Sequence, residues 1–104
     1  MSKHAIIIIK NKNNEYLQYF DSRWNSFLFP NCKMRAKDDI TSITNYINEI
    51  LNKKNFKYEF LGKKTHTKYS VSAGIEKEYT HYFYKVDLDI ISMKDNFKWF
   101  ALMN

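Results

Sequence analysis

The feature that most constrains the fold is a single amphipathic helix set between segments rich in β-forming residues. Its apolar side chains recur at helical spacing and form one stripe: Ile40, Ile43, Ile47, Ile50 and Leu51. Asp38 and Asp39 precede the stripe, where carboxylates favour the N-terminus of a helix. We therefore expect one main helix over about 39–52 that packs a single face against a sheet.

The segments before the helix predict strands. Residues 4–10 contain a continuous apolar run at 5–9, which predicts a strand over 4–10 that is buried on both faces. Residues 15–20 return as its hairpin partner after a turn of asparagines, which tolerate left-handed backbone. Residues 26–29 predict a short strand, and 31–37 predict irregular structure.

The segments after the helix predict a long antiparallel hairpin. Its strands are expected at 56–69 and 78–91, with the turn centred on Ala73-Gly74 and a bulge at Gly62. Residues 97–103 form a short terminal element whose type the pattern leaves open. One helix with a mixed sheet predicts a single α+β domain over residues 1–104.

Charge and composition limit the function classes. The net charge is +6, from 17 Lys+Arg against 11 Asp+Glu, which suits binding to phosphates or nucleic acid as well as a solvated surface. The one cysteine, Cys32, excludes an internal disulfide and fits a reducing, cytoplasmic setting. The apolar run at 5–9 is far too short to span a bilayer, so we expect no membrane partner.

A short motif precedes the helix. Trp24 is followed by Phe29-Pro30-Asn31-Cys32-Lys33-Met34, and the amphipathic helix begins a few residues later. This order resembles the opening of a Nudix domain, in which a Pro-Gly-Gly-Lys turn leads into a helix that carries several glutamates. The resemblance implies a Nudix-like sandwich reduced to a mixed sheet, one main helix and a short C-terminal element.

The signature acids of that family are largely replaced here. Asp38 stands where the first signature glutamate is expected. Alignment that keeps the apolar register places Asn45 and Tyr46 at the Arg-Glu positions, and Glu49 and Ile50 at the Glu-Glu pair. An ungapped count leaves no helix carboxylate at those positions. The family's glutamates hold Mg²⁺ or Mn²⁺ while a nucleoside diphosphate linked to another moiety is hydrolysed, and such hard cations need several oxygen ligands.

The resemblance therefore implies a catalytically degenerate domain that binds a nucleotide-type ligand or a protein partner, without a resident metal or cofactor. Glu49 and Asp38 are the only catalytic candidates. The alternatives are an active Mg²⁺-dependent hydrolase and a basic module that contacts RNA or DNA. As a short domain whose Nudix signature is incomplete, the chain also resembles Nudix-like domains found beside bacterial nucleotide-signalling and defence enzymes.

The candidate ligand-binding residues are Trp24, Lys33, Tyr82 and Tyr84, because aromatic rings stack on bases and lysines meet phosphates. His66 and His81 are expected to face each other across the long hairpin, with no third metal ligand and with His4 elsewhere. Cys32 is a further candidate nucleophile, with either histidine as its base.

Overall fold

The computed structural model describes residues 2–34, 39–53, 55–88 and 96–101. This part of the chain is built from one helix and seven strands, which confirms the α+β class. The elements are β1 Ser2–Lys10, β2 Glu15–Asp21, β3 Ser26–Leu28, β4 Asn31–Lys33, α1 Asp39–Leu51, β5 Lys57–Ser70, β6 Ile75–Asp87 and β7 Phe97–Ala101. None of the helical segments described is long and apolar enough to cross a membrane.

The strands form one mixed sheet, as predicted. Its order is β3-β2-β1-β6-β5, with β4 also paired to β1 and β7 to β2. Strand β1 runs parallel to β6, whereas the hairpins β1–β2, β2–β3 and β5–β6 are antiparallel. The parallel pair lies at the centre and joins two segments that are far apart in sequence, so it fixes which residues of the two halves become neighbours.

The core lies between α1 and one face of this sheet. Ala5, Ile7 and Ile9 of β1 are fully buried there, as are Ile43 and Ile47 of α1. The helical stripe is thus confirmed as the apolar contact surface. Burying a side chain of this size removes enough apolar area to stabilise the fold by about 1.5–3 kcal/mol per residue.

The prediction that β1 is buried on both faces is wrong. His4, Ile6 and Ile8 alternate with the buried residues and are only half-buried. Successive side chains of a strand point to opposite faces, and in the described part of the chain a helix covers only one of them. The uncovered half of β1 is therefore available to line a site.

The long hairpin differs from its prediction in register. Gly62 forms the predicted bulge: the pairing shifts between Phe60 and Gly62, and Gly62 has φ +145°. The turn is shorter than expected, because Ser70 already pairs with Ile75 and Gly74 takes the left-handed φ of 69° that closes it. β6 thus begins at Ile75 rather than at 78, and residues 89–91 of the predicted strand lie outside the described residues.

Two short strands and the C-terminal end of the helix complete the comparison with sequence. Asn31–Lys33, expected to be irregular, pairs with β1, and Phe97–Ala101 is a strand on β2. Both gain backbone hydrogen bonds from a sheet edge that local sequence does not reveal. Helix α1 ends at Leu51, and Asn52 follows it with a left-handed φ of 54°, a common helix C-terminal signal.

Candidate functional site

A pocket lies on the face of the sheet opposite α1. Its volume is about 490 Å³, and its lining residues are His4, Ile6, Leu28, Phe29, Asn31, His66, Lys68, Tyr79 and His81. His4 of β1 with strands β4, β5 and β6 supplies the floor, and Ile6 of β1 with the end of β3 and the segment after it supplies an apolar wall. A volume within about 300–1,000 Å³ is typical of sites for small molecules.

Three histidines meet on the pocket floor, and we call them the histidine cluster: His4, His66 and His81. The ring centroids of His66 and His81 are 5.1 Å apart with nearly parallel planes, at 9°. The rings of His4 and His81 are 6.1 Å apart. The phenol of Tyr79 continues the row, stacked on His66 with centroids 5.9 Å apart. The floor is therefore a row of planar polar rings.

The position of these histidines corrects two predictions. His66 and His81 share one face, but they sit diagonally: His66 pairs with Tyr79, and Lys64 pairs with His81, because the turn of the hairpin is short. His4, expected elsewhere, is the direct partner of His81 in the parallel ladder. The register expected for the hairpin correctly puts His66 and His81 on one face. Only the parallel pairing of β1 with β6 places His4 beside them.

The charges around the cluster are positive. Burial lowers the pKa of the His81 imidazole, and the neighbouring His66 and His4 lower it further. Burial also lowers the pKa of His4, with a second contribution from the Lys33 ammonium. None of the described residues that line the pocket is acidic. His4 and His81 are therefore held largely neutral near pH 7, in the same pocket as Lys68.

Trp24 does not line this pocket but contacts one of its lining residues, Lys68. The ammonium of Lys68 sits over the Trp24 ring, 6.0 Å from the centroid, and the Trp24 side chain is 66% exposed. The carboxylate of Asp21 shapes the turn by accepting hydrogen bonds from the backbone N–H of Arg23 at 2.9 Å and of Trp24 at 3.3 Å. The Arg23 side chain, 3.0 Å away, lowers the pKa of Asp21.

Comparison with solved structures decides the fold. Neither a protein-family model nor a curated protein sequence matches the chain. The MutT protein of Bacillus halodurans superposes with a TM-score of 0.77 at 15% identity, covering 97% of this chain and 69% of the other. This domain has the Nudix fold.

Two further structures show what else superposes on this Nudix fold. The NUDIX domain of Shewanella oneidensis NrtR, solved with ADP-ribose, gives a TM-score of 0.70 at 8% identity over 95% of this chain and 71% of the other. The C-terminal domain of mouse MUTYH, solved with human PCNA, gives 0.69 at 10% identity over 97% and 73%. One of these neighbours holds a nucleotide and the other a protein.

Within this Nudix fold, the four predicted ligand-binding residues are separated. Trp24 contacts the pocket residue Lys68, and Lys33 is exposed as the strand partner of His4. Tyr82 and Tyr84 lie on the opposite face: Tyr84 is 7% exposed in the core, and the Lys3 ammonium sits 5.9 Å from the Tyr82 ring centroid. Because side chains alternate along β6, these two tyrosines lie on the core face and His81 lies on the pocket face.

Sequence reasoning missed the apolar wall and the amide of the pocket. Leu28 and Phe29 precede the proline, and Asn31 donates hydrogen bonds from its amide to the Tyr19 hydroxyl at 2.8 Å and the Phe29 carbonyl at 3.1 Å. Alternation along β1 already separates Ile6 from Ala5 and Ile7. That alternation is the one signal that could have assigned Ile6 to an open face.

Helix α1 offers little to a divalent cation. Its described carboxylate, that of Glu49, is exposed, whereas Asp38 and the side chain of Asp39 lie outside the described residues. Tyr46 is half-buried, and burial raises the pKa of its phenol, which therefore stays neutral. In the described parts of the chain, no three His, Cys, Asp or Glu side chains are grouped to hold a metal ion. The donor set that the structure describes does not fit Mg²⁺.

Cys32 is separated from the histidines. It is the strand partner of Ala5, so its thiol belongs to the core face while His66 and His81 line the pocket. Burial raises the pKa of this thiol to about 11. The suggested pairing of Cys32 with a histidine base is therefore wrong: the groups lie on opposite faces of the sheet and the thiol remains protonated.

Proposed function

We propose that this domain binds a nucleotide-type ligand in the pocket opposite α1 and does not hydrolyse it. The observation that carries the proposal is the combination in one cavity of an apolar wall, a row of stacked rings and an ammonium group. Ile6, Leu28 and Phe29 form the wall, and Lys68 supplies the charge. A base needs flat apolar contact, and its phosphates need cations.

The comparisons support the same kind of ligand. A domain of this fold has been solved with ADP-ribose, and another with a protein partner. The pocket favours the nucleotide, because its rings and its cation face inward from several strands rather than forming a flat outer surface. Trp24, in contact with Lys68, offers a further exposed ring next to the cavity.

The absence of hydrolysis is proposed from the residues of α1. In the alignment that keeps the apolar register, this chain has Asn45 and Tyr46 at the Arg-Glu positions of the Nudix signature, and Glu49 and Ile50 at its Glu-Glu pair. Ile50 is buried in the core, and Asn45 is exposed without charge. Asp39 and Glu49 lie ten residues apart on α1, a separation of about 15 Å, too far for one cation to be shared.

Ligand binding can be tested without metal. The melting temperature is measured with and without ADP-ribose and a panel of nucleoside mono-, di- and triphosphates in the presence of EDTA. We expect at least one nucleotide to raise the melting temperature, because a ligand that binds only the folded state stabilises it. The Trp99→Phe variant leaves Trp24 as the sole indole, and its fluorescence should change with the same ligand.

Two results would separate the alternatives. The Tyr79→Ala variant should lose the shift, while Lys63→Gln, on the other face of β5, should keep it. No shift with any nucleotide would contradict the proposal and favour a protein partner. Tight binding of single-stranded RNA that weakens steeply with salt would favour the basic nucleic-acid module instead.

Hydrolysis is tested with the same substrates in Mg²⁺ or Mn²⁺. We expect no release of phosphate or mononucleotide above the buffer blank, and no difference between the native chain and Glu49→Gln. Turnover that disappears in Glu49→Gln would establish the active metal-dependent hydrolase and overturn the second half of the proposal.

A further inference from the structure

We propose that the histidine cluster and Lys68 form an anion subsite that takes the phosphate of the bound ligand and takes up a proton as it does so. The inference rests on the proposed function and deepens it, because it names the charged group that the pocket selects and the proton that accompanies it. It also gives the three histidines a role that neither the fold nor the sequence motif assigns.

The geometry supports one shared subsite. His81 lies between the other two rings, 5.1 Å from His66 and 6.1 Å from His4 by centroid, and Lys68 lines the same cavity. A neutral imidazole offers one N–H donor, and an imidazolium offers two. A phosphate placed against these rings would accept hydrogen bonds from several strands at once, which suits an anion with three or four oxygens.

The surrounding charges explain why proton uptake must accompany the anion. The titratable groups nearest the three imidazoles on this face are those of Lys33 from β4, of Lys64 and Lys68 from β5, and of Lys77 and Tyr79 from β6. Farther along the same strands, the face also carries Lys10, Glu59, Lys85 and Asp87. The described lining residues include no carboxylate. In the free pocket, burial and the neighbouring basic groups oppose protonation of His4 and His81, and an anion bound against them would favour it.

Cationic side chains would thereby neutralise the ligand's phosphates without a divalent ion. This is consistent with the scarcity of carboxylates on α1, because a domain that binds and does not hydrolyse needs charge complementarity rather than activated water. It also predicts that EDTA does not weaken binding, whereas alkaline pH does.

The test is calorimetric titration with ADP-ribose and with adenosine at about pH 5.5 and about pH 8, the range in which imidazole titrates. The phosphates of ADP-ribose are diesters, so its charge stays the same across this range, and adenosine is neutral throughout. We expect ADP-ribose to bind about tenfold tighter at the lower pH, with adenosine nearly unchanged. The binding enthalpy of ADP-ribose should depend on the buffer's ionisation enthalpy, which reports proton uptake.

Substitutions test which residues cause the pH dependence and the proton uptake. His66→Gln, on the exposed edge strand, and His81→Gln should each reduce the pH dependence and the proton uptake, while Lys63→Gln should leave both intact. Proton uptake that is unchanged in both histidine variants would overturn the inference, as would ADP-ribose affinity that is equal at the two pH values. A failure of every nucleotide to bind at either pH would instead refute the proposed function itself.

Discussion

The two faces of strands β1 and β6 differ in the burial and in the chemistry of their side chains. On one face Ala5, Ile7 and Val86 are fully buried beneath α1. On the other, His4, Ile6 and His81 alternate with them and line a pocket. Because a strand's side chains alternate, one pair of strands supplies the core and the candidate site at once.

This difference teaches where the molecule can change. The core face is fixed by volume, since close-packed interiors tolerate neither cavities nor extra atoms. On the pocket face, the residue types are constrained by what the pocket binds. A polar side chain there can be exchanged for an apolar one without loss of the fold.

The largest effect is expected for isoleucines of the same strand. Ile7→Ala should lower the free energy of unfolding by about 3 kcal/mol, because it leaves a cavity under α1. Ile6→Ala, in the half-buried pocket wall, should cost about 1 kcal/mol. Urea denaturation of the two variants measures the difference, and equal losses would show that the faces are not distinct.

The thiol of Cys32 gives a second comparison. With its pKa raised to about 11, its thiolate fraction near neutral pH is about a hundredfold below that of a thiol at the ordinary value of 9.0. We expect slow reaction with Ellman's reagent in the folded protein and fast reaction in urea. A folded-state rate equal to that of free cysteine would place Cys32 outside the core face.

Two lysines of β5 give a third comparison between the two faces. Lys68 lines the pocket, whereas Lys63 pairs with Tyr82 on the other face. Lys68→Gln should weaken ADP-ribose binding about tenfold, because a charge-assisted contact is lost, and Lys63→Gln should change it little. Equal weakening by both variants would indicate attraction by the net charge and not a contact in the pocket.

The smallest effect is expected on stability without ligand. Burial lowers the pKa of His81 and His4 below the ordinary value of 6.5, so the unfolded chain binds more protons than the folded one below that pH. Stability is fully present above about pH 6.5 and should fall as the pH drops toward the lowered values.

The measurement is the urea midpoint at about pH 7.5 and about pH 5.5, where most carboxylates remain ionised. On acidification, the urea midpoint of the His81→Gln variant should fall less than that of the native chain. A midpoint that rises on acidification would contradict the sign. Ligand affinity is expected to change in the opposite direction, so the two measurements together separate the free pocket from the occupied one.

Much of the fold could be predicted from local pattern. The stripe from Ile40 to Leu51, the opening hairpin and the bulge at Gly62 follow from periodicity and turn chemistry. β4 and the register of the long hairpin could not be predicted, because each depends on a partner edge or on a turn whose length local propensity does not fix.

The site was predicted less well than the fold. The motif at Trp24 and Lys33 led to the vicinity of the pocket. Tyr82 and Tyr84 were chosen for their chemistry, without knowledge of which face of β6 would be covered. Only burial against α1 separates them from His81.

Sequence alone determined the alternation within each strand and the single apolar face of the helix, because these are properties of neighbouring residues along one chain. The tertiary structure decided that β1 lies parallel to β6, which brings His4 beside His81 and makes a cluster from residues at opposite ends of the sequence. No local pattern encodes that meeting, since a parallel ladder is selected by the packing of the whole sheet and not by either strand.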